Sequence, residues 1–394
     1  MRSKNIINVV FILFVIYYGL SIIFPHDRYG EAESSGRIFP QITMTLTYIT
    51  GTIIAFSCIN KYKQFQSFFL FVILFWIYIV YSSASTIDTI SYIMKSTSGF
   101  VFSVVFFRFL LQNEKLTLRW MTIIFFVVIV VGFTTHFTKI EENRFGEIES
   151  PAGFIFCQLL SFSLLFSTKK WSPYAFLVCV GMCLISGQRT ASLIAIIYCL
   201  CAFKIYQRSL NIPRIVFIVF LVAVVAWPFL IDAYDNLMMR NQRDFESDSY
   251  GSGRALLYQM ALFDIINSNP LAIILGKGIY SNVAFFEFSL GRSIVAHNGW
   301  IDTFYQFGLI GLTLFASCII SLFVRCKRII KAIPQEGWVL LFMAISWVLK
   351  SSVSHGYLDL HAIPFSMSLA YIYYRFYNDS YINTRKKTFA LSKQ

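Results

Sequence analysis

Arg189 is the only ionised side chain between Tyr174 and Phe203, in a stretch otherwise built of apolar and small neutral residues. An arginine at membrane depth costs about 2.5–3.5 kcal/mol on insertion scales, so it either snorkels to the headgroups or has a task. Arg254 raises a related question. It opens the helix-patterned segment SGRALLYQMALFDIINSNP, where the free N–H groups already make the helix end positive. A guanidinium in that first turn is either a solvated loop arginine or half of an anion site, in which arginine and helix terminus act together. His297 lies in AHNGW, directly before a long apolar run. An imidazole with an ordinary pKa near ~6.5 can take a proton at neutral pH. Asn298 beside it reads as the cap of the next helix and as a candidate substrate contact. Arg292, Lys95 and Lys350 add positive charge on the same side, and with Arg189 and Arg254 they would line a basic cavity suited to phosphate or pyrophosphate. Lys95 and Lys350, each taken alone, also read as snorkelling side chains.

Other chemistries find less support. The chain contains no CxxC, no HExxH and no glycine-rich nucleotide loop. The five histidines show no metal-ligand spacing, and the eight cysteines fall in apolar segments or on the basic side, where no disulfide framework is implied. No cofactor and no metal are expected.

These side chains need a scaffold, and the composition indicates which. The 394 residues are 57% hydrophobic and 13% charged, with a mean hydropathy of +0.64, whereas soluble domains carry about 25% charged residues. The expectation is an all-α polytopic membrane protein, a single membrane domain over residues 1–394 with about twelve transmembrane helices. Spans are expected near residues 5–24, 41–59, 67–84, 89–111, 120–137, 152–167, 174–187, 190–206, 214–232, 299–323, 337–354 and 361–377. The first is taken as a retained span, since it is too long for a signal-peptide core and no small-residue cleavage site follows it. With both termini inside, the inner connections hold most of the 33 Lys and Arg but only Glu114, Glu336 and Asp379 among the acids. The net charge of +13 is therefore topological, following the positive-inside rule, and is no nucleic-acid footprint.

One connection is long: residues 233–298, on the outer side between the ninth and tenth spans. Its pattern predicts an amphipathic helix at the membrane face with Leu256, Met260 and Phe263 on one side, Ser252 as cap and Asn269-Pro270 as stop. The SGQRT turn joins two short apolar runs and is expected to dip below the outer surface, which irregular backbone tolerates only beside protein or a wet cavity.

Three ordered stretches, SGQRTA, GSGR opening a loop helix, and AHNGW…FGLIG entering the next span, resemble the O-antigen polymerase and O-antigen ligase superfamily. The likeness covers roughly residues 170–325 in motifs and the whole chain in topology. It implies an integral-membrane glycosyltransferase at the outer, periplasmic face of a bacterial inner membrane, with a donor saccharide on undecaprenyl pyrophosphate. By matching motif, Arg189 and Arg254 would bind the pyrophosphate, and His297 would orient or deprotonate the acceptor hydroxyl. Such enzymes look metal-independent, with arginines supplying the charge stabilisation of a divalent ion. The partners implied are the undecaprenyl-pyrophosphate-linked oligosaccharide, membrane lipid, a chain-length regulator and a flippase. Ligases of this kind often carry a second histidine just before the HN pair; Val295-Ala296 stand there instead, which leans toward a polymerase of O-antigen, capsule or exopolysaccharide repeat units.

Two rivals belong to other classes. A lipid-linked saccharide transporter or flippase also fits twelve spans, yet such folds often show related halves, and here the only large loop follows span nine. A metal-dependent transferase would use Glu31-Ala32-Glu33 in the first outer loop, where an acidic surface loop is the simpler reading.

Overall fold

The computed structural model describes residues 2–23, 38–138, 141–142, 148–150, 152–206, 254–291, 294, 296, 298–353 and 362–391. In chain order the helices are α1 (Arg2–Ile23), α2 (Ile38–Phe56), α3 (Gln66–Ile77), α4 (Thr86–Gln112), α5 (Glu114–Thr138), α6 (Ala152–Leu165), α7 (Ser172–Ile185) and α8 (Arg189–Tyr206). They continue as α9 (Arg254–Ile266), α10 (Pro270–Leu275), α11 (Ser281–Leu290), α12 (Gly299–Ala332), α13 (Pro334–Val353) and α14 (Ile363–Leu391). Single 3-10 turns at Lys63–Phe65 and Tyr78–Val80 extend α3 at both ends. The only sheet among the described residues is the short antiparallel pairing of Glu141–Glu142 with Ile148–Glu149.

Helices therefore stand at every expected span position but the ninth, 214–232, which lies outside the described residues. Among those described, Lys63–Val80, Thr86–Gln112, Glu114–Thr138, Arg189–Tyr206 and Gly299–Ala332 are long and apolar enough to cross a membrane by length and composition. Lys4–Leu20, Ile42–Phe56, Ala152–Leu165 and Ser172–Ile185 are shorter apolar helices. Fourteen residues in α7 make a helix of about 21 Å, less than a ~30 Å hydrocarbon core.

The chain divides into two compact units. The first comprises Met1–Phe14, Thr43–Ile124 and Ala261–Gln394. Within it α4 packs along α14, α12 along α13, and α3 against α4 and α12. Lipid tails are as apolar as leucine, so such helices associate through close packing and interhelical hydrogen bonds, not through hydrophobic transfer. Both devices are present. Rings from five helices interlock at Phe68, Phe71, Phe100, Phe315, Trp347 and Phe365, with centroids 4.8–6.2 Å apart. Small residues bring α4 and α14 together where Ser366 Oγ donates to the Gly99 carbonyl at 2.7 Å. Buried Tyr48 and Thr97 share a hydrogen bond of 2.7 Å between α2 and α4.

The second unit comprises Val15–Ile42 and Phe125–Met260. Its described core is α6 packed on α7 and α8. Gly153 allows this, because a Cβ there would fall on the Ser186 side chain. Phe125, Phe162, Phe166 and Trp171 stack at one end. The Ser172 hydroxyl joins Tyr206 at 2.7 Å and donates to the Ser163 carbonyl at 2.6 Å.

The amphipathic loop helix is α9, beginning at Arg254. Its buried positions are Ala261 and Ile265, while Leu256 and Phe263 are exposed, Phe263 at 72%. The packed stripe is thus rotated away from the Leu256–Phe263 face. An apolar face left open suits a helix lying at a lipid surface. Ser252, the expected cap, lies outside the described residues.

Candidate active site

The three motif stretches share one structural feature: each leads into a helix N-terminus. In the second unit α7 ends at Ile185 and α8 begins at Arg189 itself. The break depends on Gly187, whose φ of +69° lies in the region that favours glycine. The turn is tied down. Ser150 N–H donates to the Ser186 carbonyl at 2.9 Å, Ser186 Oγ donates to the Cys183 carbonyl at 2.8 Å, and Ser192 N–H donates to Gln188 at 3.0 Å. Arg189 is half-buried on this fixed turn, at the positive end of an eighteen-residue helix. Arg254, also half-buried, is the first residue of α9. Both cations thus sit where helix N–H groups converge, an arrangement that a phosphate stabilises and a bare helix does not need.

In the first unit the third stretch enters α12. Asn298 caps it as expected: its side-chain oxygen accepts from Trp300 N–H at 3.0 Å and Ile301 N–H at 3.2 Å. Its Nδ2 donates to the Ser352 carbonyl at 3.0 Å, tying the start of α12 to the last turn of α13. That turn carries Lys350, 2% exposed, so the structure brings Asn298 and the Lys350 turn together. A snorkelling lysine keeps its ammonium in water; Lys350 does not fit that description, whereas the exposed Lys95 on α4 does. His297 and Arg292 lie outside the described residues.

Around the α12 entry is a polar layer that reading the sequence for basic residues missed. Asp302, 2% exposed in the first turns of α12, accepts from Asn282 Nδ2 at 2.5 Å and from the Ala296 N–H at 3.3 Å. One turn on, Gln306 Nε2 donates to the Tyr92 hydroxyl at 3.1 Å, and its Oε1 accepts from Tyr280 N–H at 3.3 Å. Tyr280 sits at φ +63° and its ring meets that of Tyr92 at 4.9 Å. Burial, with the Asp88 charge adding to it, holds the Tyr280 phenol above its ordinary pKa, so it remains a neutral hydroxyl. The available signal was an aspartate and a glutamine inside a predicted span, where polar residues are expensive.

The layer is anchored by a break in α12. Gly308 has φ +61° and ψ −158°, which interrupts the helix. The carbonyls of Tyr305 and Gln306 accept instead from the N–H groups of Lys277 and Gly278, each at 2.9 Å. The Lys277–Asp264 ion pair at 2.5 Å and a hydrogen bond from the Tyr305 hydroxyl to Asp264 hold α9 to the same point. The described end of the long loop is therefore clamped onto α12, with the backbone polar groups freed by the break satisfied.

Residues 174–316 match the family model described as O-antigen ligase, just over a third of the chain and the part that holds all three stretches. That segment is similar to the O-antigen polymerase and ligase superfamily. Proteins of this superfamily are membrane enzymes of the glycosyltransferase kind, and the apolar helices make this chain a multi-pass membrane protein. No curated protein matches the chain. The O-antigen ligase match begins at the start of α7 and ends within α12. It therefore spans both arginine-headed helices, the clamped loop and the Asp302 layer.

Proposed function

We propose that the chain is a repeat-unit polymerase of a bacterial surface polysaccharide, acting at the periplasmic face of the inner membrane. The observation that carries this is the O-antigen ligase match over 174–316, within which Arg189 and Arg254 each head a helix. In this reading about twelve helices cross the membrane in one domain with both termini cytoplasmic, and loop 233–298 is periplasmic. Arg189 and Arg254 bind the diphosphate of an undecaprenyl-pyrophosphate-linked oligosaccharide. In the same reading Arg292, Lys350 and Lys95 add to the positive field. His297 takes the proton of the acceptor hydroxyl as its oxygen bonds to the anomeric carbon. The bond from that carbon to the phosphate oxygen breaks, and undecaprenyl pyrophosphate leaves. A positioned base of this type contributes about 10²–10⁴-fold. Paired guanidinium forks stabilise the charge growing on the leaving group without a metal. Asn298 positions the histidine more than it touches sugar, since its amide already serves α12 and Ser352.

Transfer of finished polymer to a lipid A-core acceptor is the second reading, favoured by the family description as ligase. The glycan profile of a deletion strain separates the two. Single repeat units on the carrier lipid are expected for a lost polymerase; full-length polymer stranded on the carrier would instead establish the ligase. Loss of a flippase would leave the undecaprenyl-linked unit on the cytoplasmic face.

A further inference from the structure

We infer that Asp302 is a positioning residue for the transfer reaction, acting through hydrogen bonds on the backbone that carries His297. This rests on the reading of His297 as the base. The described neighbours of His297 on either side are both fixed. Asn298 is held by the N-terminus of α12 and by the Ser352 carbonyl. Ala296 is held by the carboxylate of Asp302, which reaches back from α12 to its N–H. The same carboxylate oxygen is pinned from the other side by Asn282, 1% exposed on α11. A buried carboxylate is costly to place there. Its effect is to make the loop end, α11 and the start of α12 one rigid piece. A base must lie within hydrogen-bond reach of its proton, and a shift of 1 Å can cost about 10²-fold.

The neighbouring Asn282 makes the inference separable from a role for charge. Its Nδ2 donates to the carboxylate oxygen, and an amide oxygen can fill that acceptor role equally. In Asp302→Asn an amide oxygen in the place of Oδ1 can still accept from both the Ala296 N–H and Asn282 Nδ2. Both links survive and only the negative charge goes. Asp302→Ala removes the links as well.

The test uses the full chain in nanodiscs, supplied with the undecaprenyl-pyrophosphate-linked saccharide extracted from a strain lacking this protein. Release of undecaprenyl pyrophosphate is followed across pH, alongside the melting temperature. Asp302→Ala should lower kcat by about tenfold or more with KM little changed, as for a misplaced base. Asp302→Asn should stay within about threefold of wild type with the acidic limb of its pH profile unmoved, since its hydrogen bonds persist. Asn282→Ala, which frees the carboxylate but leaves it facing Ala296, should fall between them if Asp302→Ala does not fold. An Asp302→Asn variant as poor as Asp302→Ala, or a folded Asp302→Ala or Asn282→Ala turning over like wild type, overturns the inference. His297→Ala with wild-type turnover would instead sink the reading of the base itself.

Discussion

Replacing Gly308 by alanine tests whether the break in α12 is what fixes the loop. At φ +61° and ψ −158° the backbone occupies a region that is essentially glycine's alone, and a side chain there costs about 1–3 kcal/mol. Space compounds the strain. An added Cβ would fall on the Ile274 carbonyl and the Gly276 backbone, neither of which is the movable end of a side chain. If the chain escapes by continuing the helix, the carbonyls of Tyr305 and Gln306 turn inward and the bonds from Lys277 and Gly278 are lost, at about 0.5–1.5 kcal/mol each. Either route therefore costs at least about 1–3 kcal/mol, with the clash adding to the first. Gly181 supplies the control: it is helical, and nothing lies within 4 Å of an added Cβ. Alanine there should stabilise by about 0.5–1 kcal/mol. Melting of the purified protein in detergent, followed by size-exclusion chromatography, reads both. Gly308→Ala should melt many degrees lower and lose transfer activity, while Gly181→Ala should melt at or above wild type. A Gly308→Ala protein that melts and turns over like Gly181→Ala would show that the break does not hold the loop.

Other expectations follow from the same geometry. Asn298→Ala should cost about 1–2 kcal/mol as a lost helix cap, and Asn298→Ser should recover most of the melting temperature, because a serine still accepts at the N-terminus. Arg189→Lys should be nearly as inactive as Arg189→Ala in repeat-unit transfer, since the ammonium loses the planar fork; a lysine variant with full chain lengths would remove bidentate phosphate binding from the account. His297→Ala should abolish repeat-unit transfer while the protein still inserts, and wild-type chain lengths in that variant would exclude it as the base. Activity should persist in a chelator, with Glu31→Ala and Glu33→Ala tolerated.

The helical frame was legible because its signal is local: long apolar runs broken by basic connections place a helix at each expected position that is described. The turn before Arg189 was legible for the same reason, since Ser-Gly-Gln interrupts two apolar runs. Gly308 was not. It sits inside an expected span, and the N–H groups that take up the carbonyls freed at its break come from Lys277 and Gly278, some thirty residues away in sequence. Asp302 was hidden differently. An acid in a first turn reads as a complement to the helix dipole, and only the arrival of Asn282 on α11 shows that it is a buried tie. Asn269-Pro270 was read as the stop of one helix, and it also starts the next: Asn269 caps α10 by accepting from Ala272 N–H at 2.7 Å. The apolar Leu256–Phe263 side of α9 was legible from its spacing, whereas the buried contacts of Ala261 and Ile265 were not, because exposure to lipid and burial in protein select the same residue types.

The central claim is that Arg189 and Arg254 hold the diphosphate of the donor, and its most direct test is binding without turnover. Undecaprenyl pyrophosphate titrated into the protein in nanodiscs should bind wild type and His297→Ala alike. Arg189→Ala and Arg254→Ala should each weaken that binding by at least about tenfold, the loss of one charge-assisted contact. Equal affinity in all four proteins would contradict the account.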